Sequence, residues 1–232
     1  MLGISPGTPM VDISHTISPQ NVGEAAYVLY TAFPFFPAGT VHLVVVDPGV
    51  GSARRPIALR TETAFFVGPD NGVFSYVMAT ETVKAIVELS EPRYRLPEVS
   101  YTFHGCDVFA PAAAYLAAGV PIEALGPTVT DPVVFPSPRL EIGHRTVTGE
   151  VLHSDHFGNA VTSIGRLVWD VDRLLLEPGF GMECEDVPPF EAVTASVNVE
   201  GHRIAGVHRT DAEVIGGEPV ALVGSEGYLE IA

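Results

Sequence analysis

Apolar positions in the first half of the chain come in short runs, separated by segments of helical spacing. Val41 to Val46 (Val-His-Leu-Val-Val-Val) is rich in β-branched residues and stops abruptly at Asp47-Pro48-Gly49. Such a run predicts a strand covered on both faces. Ala64 to Val67 and Val83 to Leu89 read the same way. Between these runs, Ser18-Pro19 supplies a cap followed by proline at the first helical position. With Ala25, Ala26, Leu29, Tyr30 and Phe33 as its apolar stripe, a helix is predicted through about Phe33. A short helix is predicted after Asn71-Gly72. Another is predicted from near Asp107, with Pro111 in its early turns, to Gly119-Val120-Pro121. Strands alternating with helices predict an α/β domain with a mainly parallel sheet.

From Arg145 onward the period falls to two. Thr146 to Leu152, Ala192 to Val199, Arg203 to His208, Pro219 to Val223 and Tyr228 to Ile231 alternate, with Gly and Asp turns between them. One helix-like piece, Arg166 to Leu175, interrupts the series. Short strands with frequent turns predict an all-β C-terminal domain, a small antiparallel barrel or sandwich. The proline-rich Asp131-Pro132 to Pro138 reads as a linker, which sets the domains at 1–137 and 138–232.

Composition narrows the function classes. Of 232 residues, 47% are hydrophobic and 17% charged, which is enough to bury a sizeable core. Lys and Arg number 12 against 28 Asp and Glu, a net charge of −16, which argues against nucleic acid or an anionic membrane surface as the main partner. The longest small-apolar run, Ala112 to Val120, falls far short of a membrane span, and the N-terminus reads as no secretory signal. Cys106 and Cys184 are too few for a disulfide scaffold or a structural zinc site, so a cytoplasmic location is expected.

In α/β sheets, ligands sit beyond the carboxyl ends of the strands. Three segments qualify: Asp47-Pro48-Gly49-Val50-Gly51-Ser52-Ala53-Arg54-Arg55, Gly68-Pro69-Asp70-Asn71-Gly72, and Phe103-His104-Gly105-Cys106-Asp107. Together they bring a carboxylate, a guanidinium and an imidazole to one sheet edge. Taken singly, each has a plainer reading: Asp47-Pro48-Gly49 as a common turn, His104 as a packed loop residue, Asp70-Asn71-Gly72 as a turn and helix cap. The Gly49/Gly51 pair matches neither the Walker pattern nor G-x-G-x-x-G. In His153-Ser154-Asp155-His156 strand alternation splits the imidazoles between faces, and no H-E-x-x-H occurs, so no metal is expected. No G-x-S-x-G elbow is present, so covalent acyl transfer is not expected.

Several stretches, taken in order, resemble the S-adenosyl-L-methionine (SAM) hydroxide adenosyltransferases, relatives of the SAM-dependent chlorinase and fluorinase. They are Val11-Asp12-Ile13-Ser14-His15, Val46-Asp47-Pro48-Gly49-Val50-Gly51, Gly68-Pro69-Asp70-Asn71-Gly72, Thr102-Phe103-His104-Gly105, Asp107-Val108-Phe109-Ala110-Pro111, Asp155-His156-Phe157-Gly158-Asn159 and Ser225-Glu226-Gly227-Tyr228-Leu229-Glu230-Ile231-Ala232. The resemblance implies an α/β domain followed by a β-barrel domain, and a homotrimer with active sites between subunits. It implies hydrolysis of SAM to adenosine and L-methionine by water attacking C5′, with no cofactor. Asp47, Arg54 and His104 would hold the water, Phe157 and Asn159 would touch the adenine, and Asp155 and Ser225 would hold the methionine ammonium. Gln20 falls where the halogenases keep an aromatic wall beside the ribose. The alternatives are a halogenase and a non-catalytic trimeric module that binds adenosine or SAM. Where this chain has Asp47, Val50, His104 and Gly105, the fluorinase has tyrosine, threonine, tyrosine and serine. A carboxylate in that position repels a halide and favours water.

The resemblance enters one strand into the family pattern. Met1-Leu2-Gly3-Ile4 lines up just before an expected strand at Val11, and the family's Asp-Phe-Gly loop, which holds ribose hydroxyls, has no match in these residues. An exposed sheet edge is expected there. The pattern's short final segment near the adenine is likewise unmatched beyond Ala232, and Cys106 stands where the family has an arginine.

Methionine leaves as a neutral thioether, so the work lies in activating and aiming water. Free hydroxide at pH 7 from water of pKa 15.7 costs about 12 kcal/mol. Partial proton transfer plus orientation is the expected solution. His104 is a candidate proton acceptor, Asp47 a group that orients it or favours the sulfonium and that pairing with Arg54 makes a poorer base; Arg54 fixes Asp47 and the water, and the proton's destination stays open.

Overall fold

The computed structural model describes residues 1–183, 187–214 and 216–232; Cys184 lies outside the described residues. The chain falls into two units, Met1–Pro136 and Ser137–Ala232.

In the first unit, helix α1 (Val22–Ala32) is followed by strands β1 (Val41–Leu43), β2 (Pro56–Arg60) and β3 (Phe65–Pro69), helix α2 (Ser75–Thr80), strand β4 (Ala85–Glu88) and helix α3 (Ala110–Ala117). The sheet runs β1-β3-β2-β4 and is mixed. Only β1 and β3 are parallel; β2 runs antiparallel to both β3 and β4. The expectation of a mainly parallel sheet is therefore corrected. The cause is a strand that the hydrophobic pattern does not single out. From Arg60 the chain reaches Phe65 through Thr61–Ala64, far too short for the crossover that parallel neighbours need, and closes with Thr61 N donating to Ala64 O at 2.9 Å.

Apolar side chains cover both faces of this sheet. Ala25 and Leu29 of α1 and Phe33 just after it pack with Phe66, Ile57, Leu59 and Phe74 on one side. Ala112, Ala113 and Leu116 of α3 pack with Ala58, Val67 and Val87 on the other. Helix α1 begins later than predicted. Its cap is Asn21, whose side chain accepts from Glu24 N, while the Glu24 carboxylate returns to Ser18 N and Asn21 Nδ2. The stretch Val11 to His15 forms no strand, and β1 is an edge strand.

The second unit is all antiparallel in its sheets. Its strands are β5 (Leu140–Ile142), β6 (Val147–Gly149), β7 (Val151–Ser154), β8 (Ala160–Thr162), β9 (Leu167–Asp170), β10 (Arg173–Leu176), β11 (Phe190–Glu191), β12 (Ser196–Val199), β13 (His202–Ala205), β14 (Ala221–Val223) and β15 (Leu229–Ile231). They pair as β14-β15-β8-β7, β11-β10-β9, β12-β13 and β5-β6. Among the described residues no sheet closes on itself, so the barrel expectation is corrected. Strands this short form separate ladders around a shared core of Leu167, Leu174, Leu176, Ile204, Ala221 and Leu229. A closed barrel needs one unbroken ladder returning to its first strand. The helix predicted at Arg166 to Leu175 is a hairpin. Leu174 and Leu176 are buried at period two, and Val171, at φ 56, makes the turn.

Candidate active site

Asp47, Arg54 and His104 meet in the first unit. Asp47 follows β1. Arg54 precedes β2, and because β2 is antiparallel its start lies beside the end of β3, where Pro56 pairs with Pro69. The mixed topology therefore gathers the same segments at one edge that a parallel sheet would. His104 arrives from the other direction, at the start of a π-helical turn, Gly105–Phe109, that runs into α3. Such turns cluster at functional sites. Ser100 N donates to Asp107 Oδ2 and Phe103 N to Ser100 Oγ, both at 2.9 Å, which folds the loop that presents His104. A Cβ on Gly105 would come within 3.2 Å of Val45, so a glycine lets this turn settle against the segment carrying Asp47.

Arg54 joins the cluster. Its Nε donates to Asp47 Oδ1 at 3.0 Å and its Nη2 to Asp47 Oδ2, a bidentate fork. The same Nη2 lies 3.1 Å from His104 Nδ1. Both charged side chains are only 6% exposed. A guanidinium can only donate, so His104 Nδ1 must accept, which puts the imidazole proton on Nε2. The guanidinium also sits over the Phe109 ring, 5.3 Å from its centroid. Arg54 Nη1 is buried with no acceptor among the described residues.

The second unit holds Asp155, Phe157, Asn159 and Ser225. Asp155 Oδ1 accepts from Phe157 N at 2.8 Å and Asn159 N at 2.9 Å, and its Oδ2 accepts from Asn159 Nδ2 at 2.9 Å. Asp155 thus shapes the β7–β8 turn and aims the Asn159 amide, which commits most of its acceptor capacity. Phe157 is 88% exposed. Ser225 lies on the β14–β15 turn. The register places Ala160, next to Asn159, opposite Ile231, so Ser225 and the Asp155 turn lie toward opposite ends of β15. Glu230 lies on that strand. Burial, then the charges of Asp155 and Glu226, push its carboxyl above the usual range. Gln20 lies outside the Asp47 cluster. It is exposed at φ 67, directly before the Asn21 cap.

Asp70, Asn71 and Arg55 form a second polar group in the first unit. Arg55 donates from Nε and Nη2 to Asp70 Oδ2, at 2.9 and 2.6 Å, and from Nη1 to Asp131 Oδ1 at 2.7 Å. These bonds hold the Arg55 guanidinium's pKa above its ordinary value and the Asp131 carboxyl's below its own. The Asp70-Asn71-Gly72 motif was the signal for this group, although its turn-and-cap reading hid the contacts. Cys106 is exposed with a free thiol. Among the described residues no helix is long and apolar enough to cross a membrane.

This architecture is that of a known family. The chain matches the SAM hydroxide adenosyltransferase N-terminal domain over residues 1–126 and the C-terminal domain over residues 149–232. It belongs to the SAM hydroxide adenosyltransferase family, within the chlorinase and fluorinase superfamily. A Thermus thermophilus protein named (R)-S-adenosyl-L-methionine hydrolase is 41% identical, over 98% of this chain and 81% of that one. An uncharacterized conserved protein from Thermotoga maritima superposes with a TM-score of 0.83 at 34% identity, over 100% of this chain and 83% of its own. A fluorinase from an Actinoplanes species is more distant, 28% identical over 100% of this chain and 83% of that one.

Proposed function

We propose that this chain hydrolyses SAM to adenosine and L-methionine, with water attacking C5′ and methionine leaving as the thioether. The similarity to SAM hydrolases supports the reaction. For the residues, the carrying observation is the Arg54 fork: one buried guanidinium grips Asp47, donates to His104, and keeps Nη1 without an acceptor among the described residues. Such an unsatisfied buried donor suits a water oxygen or a substrate hydroxyl.

The fork also bears on where the proton goes. His104 Nδ1 accepts from Arg54, and its Nε2 carries hydrogen, so the ring has no free acceptor in this arrangement. It offers a donor instead. Asp47 spends one acceptor position on each oxygen and keeps others. Water attacking a saturated carbon becomes a protonated alcohol as the C–O bond forms, and that species is a strong acid. A paired carboxylate suffices to take its proton late, so hydroxide need not form beforehand. Asp47 is therefore the acceptor, Arg54 fixes it, and His104 orients the oxygen.

Phe157 and Asn159 would face the adenine, and Gln20 the ribose. Asp155, with one acceptor position left beyond its turn, would take the methionine ammonium. The chain would work in the cytoplasm as a homotrimer whose active sites lie between subunits. The exposed Phe157, Tyr101 and Phe103 suit burial by a neighbouring copy.

Incubation of the full chain with SAM in chloride buffer, followed by chromatography, tests the reading. Adenosine and methionine in equal amounts are expected. 5′-Chloro-5′-deoxyadenosine would replace the hydrolase with a halogenase, and binding without product would leave a non-catalytic module.

A further inference from the structure

The Gly68–Gly72 turn carries part of the family resemblance, yet none of its side chains belongs to the Asp47 cluster. Its two polar residues reach to either side of that cluster. Asn71 Nδ2 donates to Val46 O at 2.9 Å, and Val46 is the residue before Asp47. The β1 ladder makes its last bond at Val44, whose N donates to Val67 O at 2.9 Å, so Asn71 continues the hold where the sheet stops. Asp70 takes the other side. Its N donates to Arg55 O at 2.9 Å, and its Oδ2 accepts twice from the Arg55 guanidinium; Arg55 is the residue after Arg54. The Asp70 side chain is only 2% exposed, and its Oδ1 accepts from Val133 N at 2.8 Å. Consecutive residues of one turn therefore hold the backbone before Asp47 and the backbone and side chain after Arg54.

We propose that Asp70 and Asn71 are positioning residues for hydrolysis, a two-point clamp that fixes Asp47 and Arg54 relative to each other. This rests on the hydrolase reading above. Between Asp47 and Arg54 the chain makes an exposed or half-buried loop, Pro48 to Ala53, bonded among the described residues only to itself through Val50 N to Asp47 O, Ser52 N to Gly49 O and Arg54 N to Ser52 Oγ, and the clamp ties the two ends of that loop to the end of β3. The aim of Asp47's remaining lone pairs depends on its separation from Arg54, and a misplacement of about 1 Å can cost about a hundredfold in rate.

Asn71 separates positioning from folding because its two side-chain atoms do different things. Oδ1 accepts from Val73 N at 3.3 Å ahead of α2, and Nδ2 makes the clamp. Asn71→Asp keeps the acceptor and loses the donor; Asn71→Ala loses both. A clamp predicts that both variants lose kcat by about a hundredfold with KM within about twofold of wild type. A merely capping Asn71 predicts an aspartate variant with wild-type kcat and an impaired alanine variant, and that result overturns the proposal. Arg55→Lys is the second variant should those fold poorly. It keeps the charge opposite Asp70 and loses the fork, and a kcat loss of about tenfold at unchanged KM is expected. Wild-type kcat in Arg55→Lys counts equally against the clamp.

If the wild-type chain releases no adenosine from SAM, the hydrolase reading falls, and a crystal structure of Asn71→Asp then judges the clamp alone. Displacement of Asp47 from Arg54 supports it; an unchanged fork overturns it.

Discussion

Asp47 and Arg54 are almost wholly covered and satisfy each other through two hydrogen bonds, whereas Phe157, in the second unit, stands 88% exposed on a turn. The two regions spend their carboxylates differently. Asp47 answers a charged partner from another segment and keeps acceptor positions in hand. Asp155 answers amides of its own turn and has little left over. On the proposed function, the first arrangement is preorganised for chemistry, which gains most in the transition state. On the same proposal, the second is a shaped, open surface, which gains most on binding. Changes in the first region should therefore fall on kcat, and changes in the second on KM.

The largest effect is expected from Asp47→Asn. The amide keeps the size of the side chain but puts an NH₂ toward Arg54 and removes the proton acceptor. Adenosine release measured by chromatography should fall about a thousandfold in kcat, with KM little changed. A loss confined to KM would erase the contrast between the regions. Asp155→Ala comes next. It frees Phe157 N, Asn159 N and the Asn159 amide at once, and KM for SAM should rise between about tenfold and a hundredfold while kcat holds within a few-fold. A kcat loss matching that of Asp47→Asn would show that the turn belongs to the chemistry.

The smallest effect concerns stability and belongs to the first unit alone. His42 lies on β1, stacked on Phe66 at 5.0 Å between the edges of Phe33 and Phe36, and burial lowers its pKa from 6.5 to about 4. The unfolded chain takes up this proton near pH 6.5, and the folded one not until about 4. Stability should therefore be whole above pH 6.5 and decline as the pH falls through that window, by about 3 kcal/mol at most. Denaturant titrations at pH 7, 5.5 and 4.5 check this: His42→Leu should flatten the decline, whatever constant offset its altered packing adds. An unchanged slope would assign acid sensitivity to other groups.

Much of the first unit could be read from the residues. The Val41 run contains β1 and outlasts its ladder by two residues before Asp47, because an apolar β-branched stretch has few alternatives to a buried strand. Strand β2 is not legible in the sequence because Pro56 and Arg60 bracket only three apolar residues, and the direction of the sheet depends on it. The Arg166 to Leu175 segment satisfies helical and alternating patterns alike, and its hairpin depends on a turn at Val171-Asp172 that local spacing does not dictate. Closure of the β-rich half depends on which edges pair, which alternation does not encode. At the site, motif order brought Asp47, Arg54 and His104 to notice together. The shared guanidinium, the Nδ1 acceptor and the clamp from Asp70 and Asn71 are contacts across segments, and only coordinates carry them.

Hydrolysis in heavy-oxygen water tests the central claim most directly. With SAM as substrate, mass spectrometry should find one heavy oxygen in the 5′-hydroxyl of adenosine and none in methionine, and Asp47→Asn should slow formation of that product about a thousandfold. Adenosine without the label, or a labelled product that Asp47→Asn still makes at the wild-type rate, would contradict attack on C5′ by a water held at Asp47.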